Sequence, residues 1–410
     1  MLPEAIIGLT GAFGSGCTTT AKHLRDKRGF TLVRLSDPIK TNWAENHEQQ
    51  PTRPDLQRLG DELRQKNHPG ILVELALKAA ENDGKLPERL VIDGIRNVGE
   101  VDYLRDVYGY RFTLIAVLAD VDARWDRIGS DYTDNGFTRS DFLADDLRDR
   151  NEETKYGQQV ELCVDRADIL VDNSTDVSLS RFKTKLLEFV DLITGKKLRG
   201  ARQTEILMNI AFSASHSSKC LKRHVGAVIA DPAGQVVSAG YNENPLGTHP
   251  CVEEPEYENQ CFRDIIRNNH FKFLAEKGAR CPVCGEKLIF EKGPPWRCGA
   301  CAEKAQKTNL ESFFFPDRAL NWCTAVHAEV WAILAAGERA RKGTLYTTTF
   351  PCAQCAEKIV QSGIVKVVFT ESYPDLYGAN RLKLGAVELE QFEGVRSSSF
   401  ERIFARTKPD

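Results

Sequence analysis

His327-Ala328-Glu329, followed by Pro351-Cys352-Ala353-Gln354-Cys355, sets one imidazole and two thiols at the starts of two predicted helices. Zinc takes tetrahedral nitrogen and sulfur ligands, and three of them from protein leave the fourth position for water, the mark of a catalytic rather than a structural site. Glu329 is not needed as a ligand and stands where it can carry a proton as general acid and base. Outward from these residues, the pattern predicts a helix over Trp322 to Ala336, a strand Gly343 to Thr348, a helix Cys352 to Ser362 and a strand Val365 to Thr370. Upstream, a helix from Thr204 to Ser215 precedes strands Gly226 to Ala230 and Val236 to Tyr241. The turn Asp231-Pro232-Ala233-Gly234 joins these strands as a hairpin. This is an α/β domain.

A chain of 410 residues holds roughly two to three domains of about 150 residues each. Its 55 Lys+Arg against 58 Asp+Glu give a net charge of -3, which supplies no electrostatic funnel for a polyanion and argues against a dedicated nucleic-acid binder. No apolar run approaches the roughly 20 residues that span a bilayer, and Met1-Leu2-Pro3-Glu4 lacks a basic signal-peptide start. We therefore expect a cytoplasmic protein without membrane contact, whose 12 cysteines are thiols or metal ligands.

Cys281-Pro282-Val283-Cys284 and Cys298-Gly299-Ala300-Cys301 are two knuckles with zinc-ribbon spacing inside an inserted segment at about 277–303. Four thiolates fill the tetrahedron, so this second zinc is structural, and its binding is coupled to folding of the segment. His249, Cys251, Cys261 and His270 are further potential ligands, in a spacing that matches no specific pattern; whether they hold a third metal stays open.

The N-terminal half alternates strand and helix, as in a parallel doubly wound sheet. Ala5 to Leu9 reads as a strand, followed by Gly11-Ala12-Phe13-Gly14-Ser15-Gly16-Cys17-Thr18-Thr19 and a helix. This is the phosphate loop G-x-x-x-x-G-K-[ST] with Cys17 in place of the lysine. Backbone amides of such a loop still cradle phosphate, but the cation that neutralises a transferring phosphoryl group is missing. Thr18 or Thr19 is placed to reach Mg, and Asp93, ending the apolar run Leu90 to Asp93, stands like a Walker B carboxylate. Gly195 to Gly200 has a linker's polar, glycine-flanked composition. The expected domains are 1–195, a linker 196–203, and 204–410.

Two resemblances sharpen these readings. Cys323 to Glu329, Val225-Gly226-Ala227-Val228-Ile229 and Gly240-Tyr241-Asn242 resemble the deoxycytidylate deaminases of the cytidine deaminase superfamily, with the H-x-E…P-C-x-x-C zinc pattern. The resemblance implies hydrolysis of the cytosine amine, with His327, Cys352 and Cys355 on the catalytic zinc, Glu329 as proton carrier, and Asn242, Ala328 and Tyr373 at the substrate. Glu243 departs from that family's Gly-Tyr-Asn-Gly. Residues 1–195 resemble nucleoside monophosphate kinases through Leu35-Ser36-Asp37-Pro38-Ile39-Lys40, Leu56-Gln57-Arg58-Leu59-Gly60 and Val91 to Arg96. By that resemblance Arg64 and Arg96 lie near an acceptor phosphate.

Together the halves resemble the fused deoxycytidylate deaminases of bacterial anti-phage defence. That implies conversion of dCMP or dCTP to deoxyuridine nucleotides, a nucleotide effector at the N-terminal domain, and a homo-oligomer. A nucleotide, an inhibitory RNA and oligomer assembly are the open means of restraint. A polynucleotide base deaminase, and a nucleotide kinase with a non-catalytic deaminase-like module, are the alternatives.

Overall fold

The computed structural model describes residues 2–134, 136–150, 155–175, 177–281, 284–287, 323–371 and 376–404. The chain divides into two compact units, one of Met1–Asn209 with Lys366–Asp410 and one of Ile210–Val365. Among the described residues no helix is long and apolar enough to cross a membrane.

In the first unit, β1 (Ala5–Thr10), β2 (Thr31–Arg34), β3 (Arg89–Asp93), β4 (Phe112–Leu118) and β5 (Ile169–Asp172) form a parallel sheet in the order β2-β3-β1-β4-β5. β1 and β4 are buried along their whole length, as a parallel sheet covered on both faces demands. Ile7, Leu9, Ile115, Val117 and Val171 pack in one core with Phe182, Leu186 and Phe189 of the helix Leu179–Ile193. The chain leaves β1 toward β2 and leaves β3 toward β4, so the carboxyl ends of β1 and β3 form the switch point where open α/β sheets bind ligands. The glycine loop follows β1, and Asp93 ends β3.

In the second unit, β6 (Gly226–Ala230) lies antiparallel between β7 (Val236–Tyr241) and β8 (Thr344–Thr347). The helix Ala328–Ala336 presses on β7 at Gly240, where an added Cβ would meet Ala328 O and Ala332 N, each at 2.6 Å. Only glycine allows that approach, and Ser238 Oγ fixes it by donating to Ala332 O at 2.8 Å. This helix begins at Ala328 rather than at the expected Trp322. His327 keeps extended backbone angles as its N-cap, and Val326 is tied instead to Glu243 by paired backbone hydrogen bonds of 2.7 and 3.1 Å.

The C-terminal segment gives a difference from the expected 204–410 domain. β9 (Lys366–Phe369) and β10 (Glu388–Gln391) pair in parallel, and β11 (Gly394–Val395) adds to the first unit's sheet, antiparallel to β5. The helix Ser397–Phe404 then sits with that unit: Arg396 N donates to Asp168 O at 2.8 Å, the Ser399 hydroxyl to the Asp168 carboxylate, and Arg402 Nη1 to Phe112 O at 3.0 Å. The hydrophobic run alone did not reveal this return, because β11 is two residues long.

Glu205 anchors the return. Fully buried, it accepts from Arg199 Nη1 and Nη2 at 2.7 and 2.8 Å, from the Arg202 amide at 2.7 Å and from the Val395 amide at 3.1 Å. Burial pushes its pKa up, and these donors more than offset that, so the carboxyl lies below its ordinary value of 4.5. Its stabilisation is therefore complete above that value and lost as pH falls through the depressed one. Glu205→Ala leaves Arg199 without its buried partner and is expected to cost about 3–5 kcal/mol in chemical denaturation at pH 7. The deficit should shrink on acidification, and a variant as stable as the parent at pH 7 would contradict this account.

Candidate active site

Two helix starts create the metal cluster. His327 caps the helix Ala328–Ala336, Cys352 caps the helix Ala353–Ser362, and Cys355 lies in that second helix's first turn. His327 Nδ1 lies 3.2 Å from Cys355 Sγ and 3.5 Å from Cys352 Sγ, and the three ligand atoms lie within 4.8 Å of one another. Among the described residues this is the one such group of three or more.

The electrostatics suit a cation. A hydrogen bond from the Cys355 thiol, with burial opposing and His327 assisting, holds Cys352 down to about 4. The same pairing with Cys352, together with burial and the Glu329 charge, pushes Cys355 up. His327 is raised, first by its hydrogen bond to Cys352. Glu329, 3% exposed, is raised by burial, and the Cys355 thiol donates to its Oε2 at 3.6 Å. A buried carboxyl beside the three donors, outside the ligand set, is placed for proton transfer.

The sequence-predicted substrate residues fare differently. Ala328 is fully buried at the first helical position. Asn242 is 8% exposed, and its side chain braces the chain entering β6: Oδ1 accepts from the Val225 amide at 2.7 Å and Nδ2 donates to Arg223 O at 2.9 Å. Ser218 Oγ donates to Asn242 O at 2.8 Å. Asn242 thus ties the chain entering β6 to the end of β7. Tyr373 lies outside the described residues, as do Cys298 and Cys301. The other half of the expected ribbon is a tight turn in which Cys281 N donates to Glu286 O at 2.7 Å and Gly285 N to Cys281 O at 2.9 Å.

In the first unit the glycine loop wraps a cavity of about 390 Å³ lined by Gly11, Gly16, Thr18, Asp93, Arg96 and Arg127, among others. Gly14 and Gly16 have φ of +81° and +109°, and a Cβ on Gly16 would stand 2.7 Å from Asn173 Nδ2, so the loop depends on glycine there. Ser15 Oγ lies 3.6 Å from Cys17 Sγ, whose thiol is pushed up to about 12 by burial and then by Asp93. Cys17 is thus a neutral group where a lysine would bring charge. Thr18 Oγ1 donates to Asp93 Oδ2 at 2.8 Å, bringing two of the expected Mg-side residues together, and Thr19 lines the same cavity.

The two arginines of the acceptor expectation separate. Arg96 does line the cavity and donates to Gln158 Oε1 at 3.2 Å. Arg64 does not: 4% exposed, it is bound to Glu100 at 2.8 and 3.2 Å, Asp61 at 3.0 Å and Tyr156 O at 3.2 Å, its charge consumed inside the fold. Sequence reading missed Arg127, which holds the loop through Gly14 O, Ser15 O and Asn173 O at 3.2, 3.3 and 2.5 Å. It lies on the helix Val121–Thr133, far along the chain, and no motif marks it.

A family model described as the cytidine and deoxycytidylate deaminase zinc-binding region matches residues 201–371. The deoxycytidylate deaminase of Enterobacteria phage T2 is 30% identical over 170 residues, 41% of this chain and 79% of that protein. That of Schizosaccharomyces pombe is 28% identical over 238 residues, 57% of this chain; the chain spans 56% of that relative's length. A UPF0200 protein of Pyrobaculum aerophilum is 31% identical over 171 residues, 42% of this chain and 88% of that protein. With its matched region enclosing the imidazole, both thiols and the buried carboxyl, the chain belongs to the cytidine and deoxycytidylate deaminase family.

Proposed function

We propose that the second unit hydrolyses the exocyclic amine of deoxycytidine nucleotides, dCMP or dCTP, to give deoxyuridine nucleotides and ammonia. The observation that carries this reading is the His327, Cys352, Cys355 cluster with Glu329 buried against it. One imidazole nitrogen and two thiol sulfurs, drawn together at two helix starts, are a donor set that zinc fits, with one tetrahedral position left over. When bound, zinc supplies Lewis acidity toward water in that position. Glu329 takes the water proton and passes it toward the ring nitrogen and the departing ammonia. The water oxygen bonds to C4 as the C4–N bond breaks, so atoms balance as amine plus water to carbonyl plus ammonia. The Val326–Glu243 pairing and the Gly240 contact keep His327 and Glu329 from shifting relative to β7.

The first unit we assign as a nucleotide-binding regulator. Loop amides, a 390 Å³ cavity and the Thr18–Asp93 pair support phosphate and Mg binding, and the neutral Cys17 argues against phosphoryl transfer. A gated deaminase that drains deoxycytidine nucleotides suits the anti-phage role that the domain combination resembles.

Glu329→Gln is expected to lower deamination of dCMP or dCTP by at least ~100-fold while zinc content holds, measured by uracil-product chromatography and metal analysis; zinc loss in parallel would make Glu329 a ligand instead. Gly16→Val should weaken binding of a fluorescent ATP analogue by roughly tenfold or more, since φ of +109° and the Asn173 contact both exclude a side chain. Parent protein with ATP turnover above background would contradict a binding-only loop.

A further inference from the structure

β2 ends the first unit's sheet, so only one of its edges is paired. Leu35 N donates to Asp93 O at 3.1 Å, which turns the odd-numbered residues of this stretch toward β3. The N–H and C=O groups of Leu32 and Arg34 therefore point the other way, and among the described residues they have no hydrogen-bond partner. That edge lines a groove of about 480 Å³, the size of a built ligand pocket.

Two helices wall the groove, Ser36–Asn46 and Ile71–Ala80. The first turns Ile39 and Trp43 inward, where they are buried, and sets Asp37, Thr41 and Glu45 along the groove, all three exposed. The second contributes Leu75, Ala76, Ala79 and Ala80, whose short or apolar side chains leave the strand edge accessible. Asp37 and Glu45 have no hydrogen-bond or ion-pair partner among the described residues. Eight residues apart on one helix, they stand about 12 Å apart along its axis, the span of about four extended residues. Arg34 is the one cation lining the groove, and it lies abreast of Asp93 in the β2–β3 ladder.

We propose that this groove is a docking site for an extended segment of a partner protein, with basic side chains alternating with small apolar ones, which adds to the sheet as a further strand. A row of outward amides and carbonyls is matched by another extended backbone, whereas a compact ligand leaves part of it unpaired. Backbone pairing with Leu32 and Arg34 supplies the affinity, and the two walls supply the selectivity. Basic residues four apart in the segment meet Asp37 and Glu45, while the residues between them face Leu75 and Ala79. The same two carboxylates repel an acidic segment. The docked strand lies beside the Arg34–Asp93 ladder pair, one strand away from a residue that lines the glycine-loop cavity. The proposal is independent of the deaminase reading, because its readouts are peptide binding and backbone protection.

The test offers the full chain a seven-residue peptide of alternating lysine and valine, followed by fluorescence polarisation and by hydrogen exchange at single-residue resolution. In the free protein the amides of Leu32 and Arg34 should exchange fast, and those of Val33 and Leu35 slowly. Peptide should slow Leu32 and Arg34 at least ~10-fold. Binding should weaken at least ~10-fold when glutamate replaces the lysines, when the peptide amides are N-methylated, and in the groove variants Glu45→Lys and Ala79→Trp, both at exposed positions. No binding at millimolar peptide, binding that leaves the two amides unprotected, or equal binding of the acidic peptide would overturn the site. Protection of Leu32 and Arg34 that rises with protein concentration alone would also overturn it, by making a second copy of the chain the occupant. The exchange pattern of the parent decides even where a variant fails to fold.

Discussion

Two helix N-termini brought to one point are what the second unit is organised around. His327 and Cys352 are both N-caps, held in extended backbone conformation while the next residue turns helical. The hydrogen bond from the Cys355 thiol, with His327 assisting, holds the Cys352 thiol down to about 4 where a cation would meet it. The arrangement survives only if the two helices keep their register against the hairpin. Gly240 does that work for the helix that follows His327, since a Cβ there would stand 2.6 Å from Ala328 O and Ala332 N, while Gly226 lets the helix Gln203–Ser215 approach β6, its Cβ position lying 1.8 Å from Ala211 O. The placing of His327 and Glu329 therefore depends on a glycine in the neighbouring strand.

The first unit solves a different constraint with the same economy. Its switch point places the glycine loop after β1 beside the Asp93 carboxylate at the end of β3, with Thr18 hydrogen-bonded between them and no lysine among the residues lining the cavity. The two arginines that line that cavity are committed: Arg127 to the carbonyls of Gly14, Ser15 and Asn173, Arg96 to Gln158 and Asp149. That absence of a free cation is what the proposal of binding without phosphoryl transfer rests on.

The catalytic cluster was legible because its residues are chemically distinctive and close in sequence: H-x-E and P-C-x-x-C name a donor set before any fold is known. The glycine loop and Asp93 were legible for the same reason, each following an apolar strand. What could not be read depends on contacts between distant residues. Arg64 and Arg127 look like ordinary helix arginines until Glu100 and the loop carbonyls are placed beside them. The return of the C-terminal segment rests on a two-residue strand and on Glu205, one carboxylate among 58 acidic residues.

The most direct measurement is a product analysis on the zinc-loaded parent protein, offered dCMP, dCTP, CMP, deoxycytidine and single-stranded DNA side by side, with ammonia and uracil products followed. The account predicts deoxyuridine nucleotide from dCMP or dCTP and no uracil in the DNA, in keeping with a chain whose net charge of -3 offers no funnel for a polyanion. Uracil appearing in the DNA alone, or no product from any deoxycytidine nucleotide, would contradict it.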